Sequence, residues 1–183
     1  MKNSFIPIVF KEKLIKIFGW FRASLFFLLG TAIFLSIFTF NINDSSFLTK
    51  SSTIPSNIFG IAGSYLASFL IYSFGLTSYL IVFFLLINSI ATFRKKDLGY
   101  FFIRLLFILV SIVLIPQIFL FRDWTINYID QIEVWGEISY LLFNLHQAEL
   151  VSYVLSFIGL ILFFFTQNIF FLFKIPKLNF QTL

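Results

Sequence analysis

Residues Asn57 to Leu80 read NIFGIAGSYLASFLIYSFGLTSYL and lie inside a run from Ser51 to Phe93 that carries no charged side chain. A helix rises about 1.5 Å per residue, so a hydrocarbon core about 30 Å thick takes about 20 residues. The uncharged run is too long for one straight span and too short for two spans joined by a polar loop. It also holds three glycines and four serines between Asn57 and Leu80, an unusual load for a purely lipid-facing helix.

The chain as a whole is hydrophobic: 60% of its 183 residues are apolar, 30 are phenylalanine and 11% are charged, with a mean hydropathy of +0.98. Soluble domains carry about 25% charge, so the composition is that of an integral membrane protein. No cysteine is present, which excludes disulfides, thiolate metal sites and a cysteine nucleophile.

Four spans are expected, at about 20–40, 73–93, 100–121 and 150–173, with helical backbone because lipid offers no partner to an open amide. They form a membrane domain over 20–173, preceded by a basic leader over 1–19 and followed by a tail or linker start over 174–183. In the leader, Phe10, Leu14, Ile17, Phe18 and Phe21 recur at helical spacing, while Lys11, Lys13 and Lys16 take other faces. That pattern suits either an amphipathic helix in the interface or a solvated leader. A cleaved signal peptide is not expected, because the apolar run begins late and SIFTFNIND offers no small-residue cleavage site.

Basic residues mark one side. The leader and its junction with span 1 at Arg22, the connection at Arg94, Lys95 and Lys96, and the tail with Lys174 and Lys177 gather eleven basic residues, counting Arg104 as reaching back to the interface. Only Glu12 and Asp97 oppose them there. The other side holds Lys50 and Arg122 against six acids. The positive-inside rule then places both termini in the cytoplasm, and the net charge of +5 is a topology signal, not a nucleic-acid footprint.

Within the opening stretch, Pro55 disfavours helix at Ile54, and Ser56 or Asn57 is placed to cap a helix beginning just after it. Gly60, Gly63 and Ser64 permit close helix packing. The expected form is a short outer helix over 58–72, a break at 73–75, and a span from about Leu76, with Gly75 and Ser78 at the break. One long tilted helix projecting outward is the competing form. Ser64-Tyr65-Leu66 returns as Ser78-Tyr79-Leu80, and Ser139-Tyr140-Leu141 as Ser152-Tyr153-Val154, which suggests an outer helix before span 4 as well. The fold class is therefore all-α and integral to the membrane, with four transmembrane helices and short periplasmic interfacial or re-entrant helices before spans 2 and 4.

Few residues suggest chemistry. His146 is the sole histidine and is expected to be a solvated loop residue, since a metal site needs more ligands. Asp130, Glu133 and Glu137 would share a helix face, either as a solvated stripe or as a calcium- or partner-binding patch. Asn88, Gln117, Gln167 and Asn168 are placed to bridge helices at about 0.6 kcal/mol each, and Pro116 to kink span 3 near its outer end. No acidic residue lies in mid-span, which argues against a proton-coupled transporter. No G-x-x-x-x-G-K-[ST] occurs, so neither a phosphate cradle nor ATP hydrolysis is expected of this stretch.

The phrase Thr39-Phe40-Asn41-Ile42-Asn43-Asp44-Ser45-Ser46-Phe47, followed by Asn57-x-x-Gly60-x-x-Gly63-x-x-x-Ala67, then Phe74-Gly75-x-x-x-Tyr79-Leu80 and the basic turn at Arg94, resembles the N-terminal membrane domain of FtsK/SpoIIIE-type DNA translocases over about 20–173. Ile42 and Ser45 stand where that family has prolines, and the glycine-rich start of its last segment is reduced to Gly136. The resemblance implies a bacterial inner-membrane domain at the division septum that tethers the translocase, joins a homo-oligomer of hexamer size and contacts other division proteins. Asn43, Asp44, Phe47, Asp130, Glu133 and Glu137 are the candidate partner surface. It also implies that ATP, Mg and DNA are handled by a separate motor, and that this chain holds no cofactor; the chain is then either the anchor of a longer translocase, passing into a linker after KIPKLNFQTL, or a stand-alone relative without a motor. The alternative is a small channel or transporter subunit whose broken helix near Gly75 lines a substrate site. A tag inserted between Asp44 and Ser56 should be labelled from the periplasmic side only; labelling from the cytoplasm would overturn the charge argument.

Overall fold

In the computed structural model, residues 8–52, 54–94, 100–121 and 135–167 are described, and every regular element among them is a helix. The first, α1, runs unbroken over Ile8–Phe38. No proline interrupts it, and once nucleated a helix of such residues propagates at little cost per residue. The expected division between a leader and a span at Trp20 is therefore not a structural boundary. The segment apolar enough to cross a membrane is Glu12–Phe38.

Ala23, Gly30 and Ile37 recur every seven residues on α1, and all three are buried. A seven-residue repeat is the seam of two nearly parallel or antiparallel helices. Here the partner is the helix of span 2: Leu85 and Leu86 lie 3.1–3.3 Å from where a Cβ on Gly30 would stand, and the Ser89 hydroxyl donates to Ala23 O at 2.8 Å. Trp20 meets Phe93 edge-on at 6.5 Å, so the two helices run antiparallel, with Trp20 and Arg94 at one end (the basic end) and residues 39–59 at the other (the distal end).

The uncharged run is broken, as the sequence suggests. Its first helix, α2, spans Gly60–Phe74. Gly75 then has φ 62° and ψ −148°, a region open essentially only to glycine. One 3₁₀ turn at Leu76–Ser78 leads into α3, Tyr79–Phe93, and the spanning segment is Leu76–Phe93. The helix starts at Gly60 and not at Ile58, and Phe59 is its N-cap, with no side-chain capping bond; neither Ser56 nor Asn57 caps it.

Span 3 is two helices, α4 at Phe101–Leu114 and α5 at Gln117–Phe121, divided by Pro116. Proline lacks the N–H that would bond Ile112 O, and the Thr77 hydroxyl stands 2.8 Å from that carbonyl. One turn on, the Ser156 hydroxyl accepts from Ile118 N at 2.9 Å and faces Leu114 O at 3.4 Å, filling the opened i to i−4 bond. The kink lies in buried surroundings, so its freed groups are met one by one.

Two further helices close the domain, α6 at Glu137–His146 and α7 at Glu149–Gln167. The latter is the fourth candidate span; the expected extension to 173 lies outside the described residues. It turns Ser152, Ser156 and Gly159 inward and leaves Phe157, Ile161, Phe164 and Phe165 exposed. This is the polarity of a helix in lipid, where small residues let backbones approach and hydroxyls bond across. Ser111 on α4 donates to Gly159 O at 3.0 Å.

The outer elements meet at Gly136. A Cβ there would overlap the backbone of Ser73 and Phe74, and Trp135 forms a single antiparallel bridge with Gly75. Gly136→Ala should therefore lower the melting temperature in detergent, by the equivalent of about 1–3 kcal/mol of overpacking. Gly19→Ala is the control: nothing lies within 4 Å of the added methyl, and its melting temperature should hold or rise.

Candidate functional site

Two polar clusters sit at opposite ends of the bundle. The distal one is built from the residues on either side of the 45–55 loop. Asp44 is buried, and its carboxylate accepts Ser56 N at 2.8 Å, Asn57 N at 3.0 Å and the Ser56 hydroxyl at 3.1 Å. Hydrogen bonds to a carboxylate are about twice as strong as neutral ones, so this residue ties the end of the loop back to its start. It is not part of an exposed partner surface, as the sequence had suggested.

Asn57 carries the clasp onward. Its Nδ2 donates to Ser36 O at 2.8 Å and to Thr39 O at 3.3 Å, two of the carbonyls that α1 leaves unpaired at its C-terminal end. Its Oδ1 accepts Phe59 N at 3.1 Å and occupies the place a side chain on Gly63 would need. Asn57 thus caps the helix before the loop, not the one after it. The Thr39 hydroxyl accepts Ile58 N at 3.2 Å, and Ser64 donates to Ser45 O at 2.7 Å. The spacing from Asn57 to Gly63 is a contact: the amide fits only because position 63 has no Cβ.

Of the other distal residues, Gly60 opens α2 with φ 59° and Gly75 makes its break. Ser78 is buried, with its hydroxyl unbonded among the described residues. Asn43 and Glu137 are exposed. Phe47 is exposed but lays its ring on Tyr65 at 4.9 Å and near Phe69 at 6.4 Å. Asp130 and Glu133 fall outside the described residues.

His146 is half-buried, contrary to the expected solvated loop. Its Nδ1 accepts Ala148 N at 3.3 Å, which leaves the ring proton on Nε2 to donate to Gln117 Oε1 at 3.1 Å; this tautomer follows from the bonding pattern. Gln117 Nε2 then donates to Ser139 O at 2.9 Å, so Gln117 links α5 to both ends of α6.

At the basic end, Arg104 overturns its expected role. It is 5% exposed and does not reach back to the interface. Nε donates to Thr166 O at 2.7 Å and Nη1 to Asn88 Oδ1 at 2.9 Å, while the guanidinium lies 5.4 Å from the centre of the Phe84 ring. The Asn88 amide group donates in turn to Phe84 O at 2.6 Å. Arg104 therefore fastens α3, α4 and the last turn of α7, where free carbonyls and the helix dipole favour a cation. Asn88 and Gln117 bridge helices as expected. Gln167 is buried, with neither amide atom bonded among the described residues, and Asn168 lies outside them. Among the basic residues read as topology determinants, Lys13, Lys16 and Arg94 are exposed and Lys11 lies on α1. Lys95, Lys96, Lys174 and Lys177 are outside the described residues.

The break at Gly75 is packed, not open. Trp135 and Gly136 close on it, and the Thr77 hydroxyl stands 2.6 Å from Phe74 O, so the transporter reading gains no support. Among the described residues no group of three or more His, Cys, Asp or Glu could hold a metal ion. The chemistry of both clusters is that of fastening. Asp44→Ala should lower stability by about 2 kcal/mol, because the amides of Ser56 and Asn57, the second of them buried, lose their acceptor, and Asp44→Asn, which keeps one oxygen acceptor, by about half as much. Equal losses, or none, in thermal melts would show that the clasp is not formed.

The family described as the 4TM region of DNA translocase FtsK/SpoIIIE matches residues 12–136, which takes in α1 to α5 and Gly136 and stops before α6 and α7. The DNA translocases FtsK of Rickettsia typhi (strain ATCC VR-144 / Wilmington) and Rickettsia prowazekii (strain Madrid E) are each 42% identical to this chain over 60 residues. That is 33% of this chain and 8% of each relative, so the matched stretch is a small part of those proteins. No solved structure matches. Four apolar helices, a kinked third span and the Asp44–Asn57–Gly63 clasp all lie on a sequence whose larger part matches one family: the chain belongs to the family of the 4TM region of the DNA translocases FtsK and SpoIIIE.

Proposed function

We propose that this chain is the membrane-anchoring and septum-targeting domain of an FtsK-like DNA translocase. The family match over residues 12–136, which takes in three of the four candidate spans, is the observation that supports it most. In this reading the basic end faces the cytoplasm, so both termini do, and the distal end faces the periplasm of a bacterial inner membrane.

The domain's work is mechanical. A motor that pulls on DNA transmits force to its anchor, and the anchor must hold its helices together. Arg104 serves that end, since it fastens the last turn of the fourth span, where a linker to the motor would leave. ATP, Mg and DNA belong to that separate motor, and nothing in this chain hydrolyses nucleotide. Self-assembly into a ring and contact with other division proteins complete the role, with Asn43 and Glu137 as the exposed polar groups of the distal end and Phe47 at its edge.

A fluorescent fusion of the chain, expressed in dividing cells, should collect in bands at mid-cell. An even stain around the envelope would contradict septum targeting while leaving the membrane anchor standing.

A further inference from the structure

The helix α2 places its buried polar residues toward the protein, beside Ala67, Leu70 and Ile71, and shows only apolar residues away from it. Gly63, Ser64 and Ser68 are buried, and the two hydroxyls are closed on backbone carbonyls, Ser64 on Ser45 O at 2.7 Å and Ser68 on Tyr65 O at 3.0 Å. Ile61 and Phe69, by contrast, are 62% and 53% exposed. No charged residue lies on α2 or anywhere between Ser51 and Phe93. A helix on a water-exposed surface shows the reverse arrangement. Its depth agrees: Ala67, Leu70 and Ile71 share a buried cluster with Ile37 and Val82, both inside the segments that cross the membrane.

The second outer helix, α6, has two exposed faces of opposite kind. Ile138, Leu141 and Leu145 stand at i, i+3 and i+7, with Leu145 83% exposed, and Glu137, Tyr140 and Asn144 form an exposed polar stripe beside them. Ser139 and His146 face the protein, bonded to Gln117. A helix with an apolar and a polar face both open lies along a boundary between oil and water. The two helices join where Gly136 abuts Ser73 and Phe74.

We propose that α2 and α6 form a lipid-facing collar around the distal end, with the exposed face of α2 immersed in the acyl chains of that leaflet and α6 lying at its surface. The domain is then two helices wider in the distal leaflet than in the basic one. The occupant of the α2 face is lipid hydrocarbon: that face offers no charge, and Ser64 and Ser68 are spent on internal carbonyls, so it has little with which to specify a protein partner.

The chain has no cysteine, so single cysteines can be placed at will in the full chain in phospholipid nanodiscs. Nitroxide labels at Ile61→Cys, Ala62→Cys and Phe69→Cys should show high collision rates with oxygen and low rates with a water-soluble nickel chelate, matching a label at the lipid-facing Leu109→Cys in α4. A label at Asn144→Cys should be open to nickel, and one at Leu141→Cys should fall between. Nickel access at Ile61 and Phe69 equal to that at Asn144 would place α2 in water and overturn the collar. Exclusion of both reagents there, with dipolar broadening between labels, would show that a second copy covers the face and would overturn it equally. Nickel access at Leu109 would remove the span itself, and the collar with it.

Discussion

A bilayer core has no water to satisfy a polar group, and an unmet amide or hydroxyl costs several kcal/mol there. Everything unusual about this chain follows from how it meets that demand. Four serine, threonine and arginine side chains inside the bundle aim at carbonyls of other helices: Ser89 at Ala23, Ser111 at Gly159, Thr77 at Ile112, Arg104 at Thr166. The phenylalanines, which would form the core of a soluble protein, are largely turned outward. Packing against lipid gives no hydrophobic drive between helices, so close approach at small residues and bonds of this kind hold the spans together.

The same demand governs the stretch that leaves α1. Residues 39–59, between α1 and α2, must turn back from the distal end without abandoning open backbone near lipid. Asp44 and Asn57 solve this jointly. The carboxylate takes the amides of residues 56 and 57, and the Asn57 side chain takes the last carbonyls of α1. Gly63 makes room for that side chain, and α2 is thereby fixed against the end of span 1 rather than hanging from a free loop. The clasp thus joins the end of α1 to the start of α2, and Ser64 adds a bond from α2 back to Ser45 O.

Much of this was legible in the sequence and some was not. Hydropathy and charge placed four spans, because length and desolvation alone decide them, and the glycine at 75 marked the break, because few other residues can adopt its backbone angles. Side-chain direction was not legible. Arg104 sits one turn into its span, where an arginine able to snorkel and one able to bond inward look alike; the carbonyl of Thr166, 62 residues away, decides between them. Asn57 reads as the cap of the helix that follows, and only the folded chain shows that the end of α1 is nearer. His146 reads as solvated because its partner, Gln117, is 29 residues distant. The leader and first span read as two elements because their compositions differ, yet nothing in the backbone between them stops a helix.

Amide hydrogen exchange of the chain in nanodiscs tests the clasp most directly. If Asp44 and Asn57 hold the distal segment as described, the amides of Ser56, Asn57 and Phe59 exchange as slowly as those in the outer turns of α1, while the exposed residues near Ile54 exchange at once. Rapid exchange of Ser56 and Asn57 together with Ile54 would mean that the segment is a free loop, and the account of how α2 is held would fail.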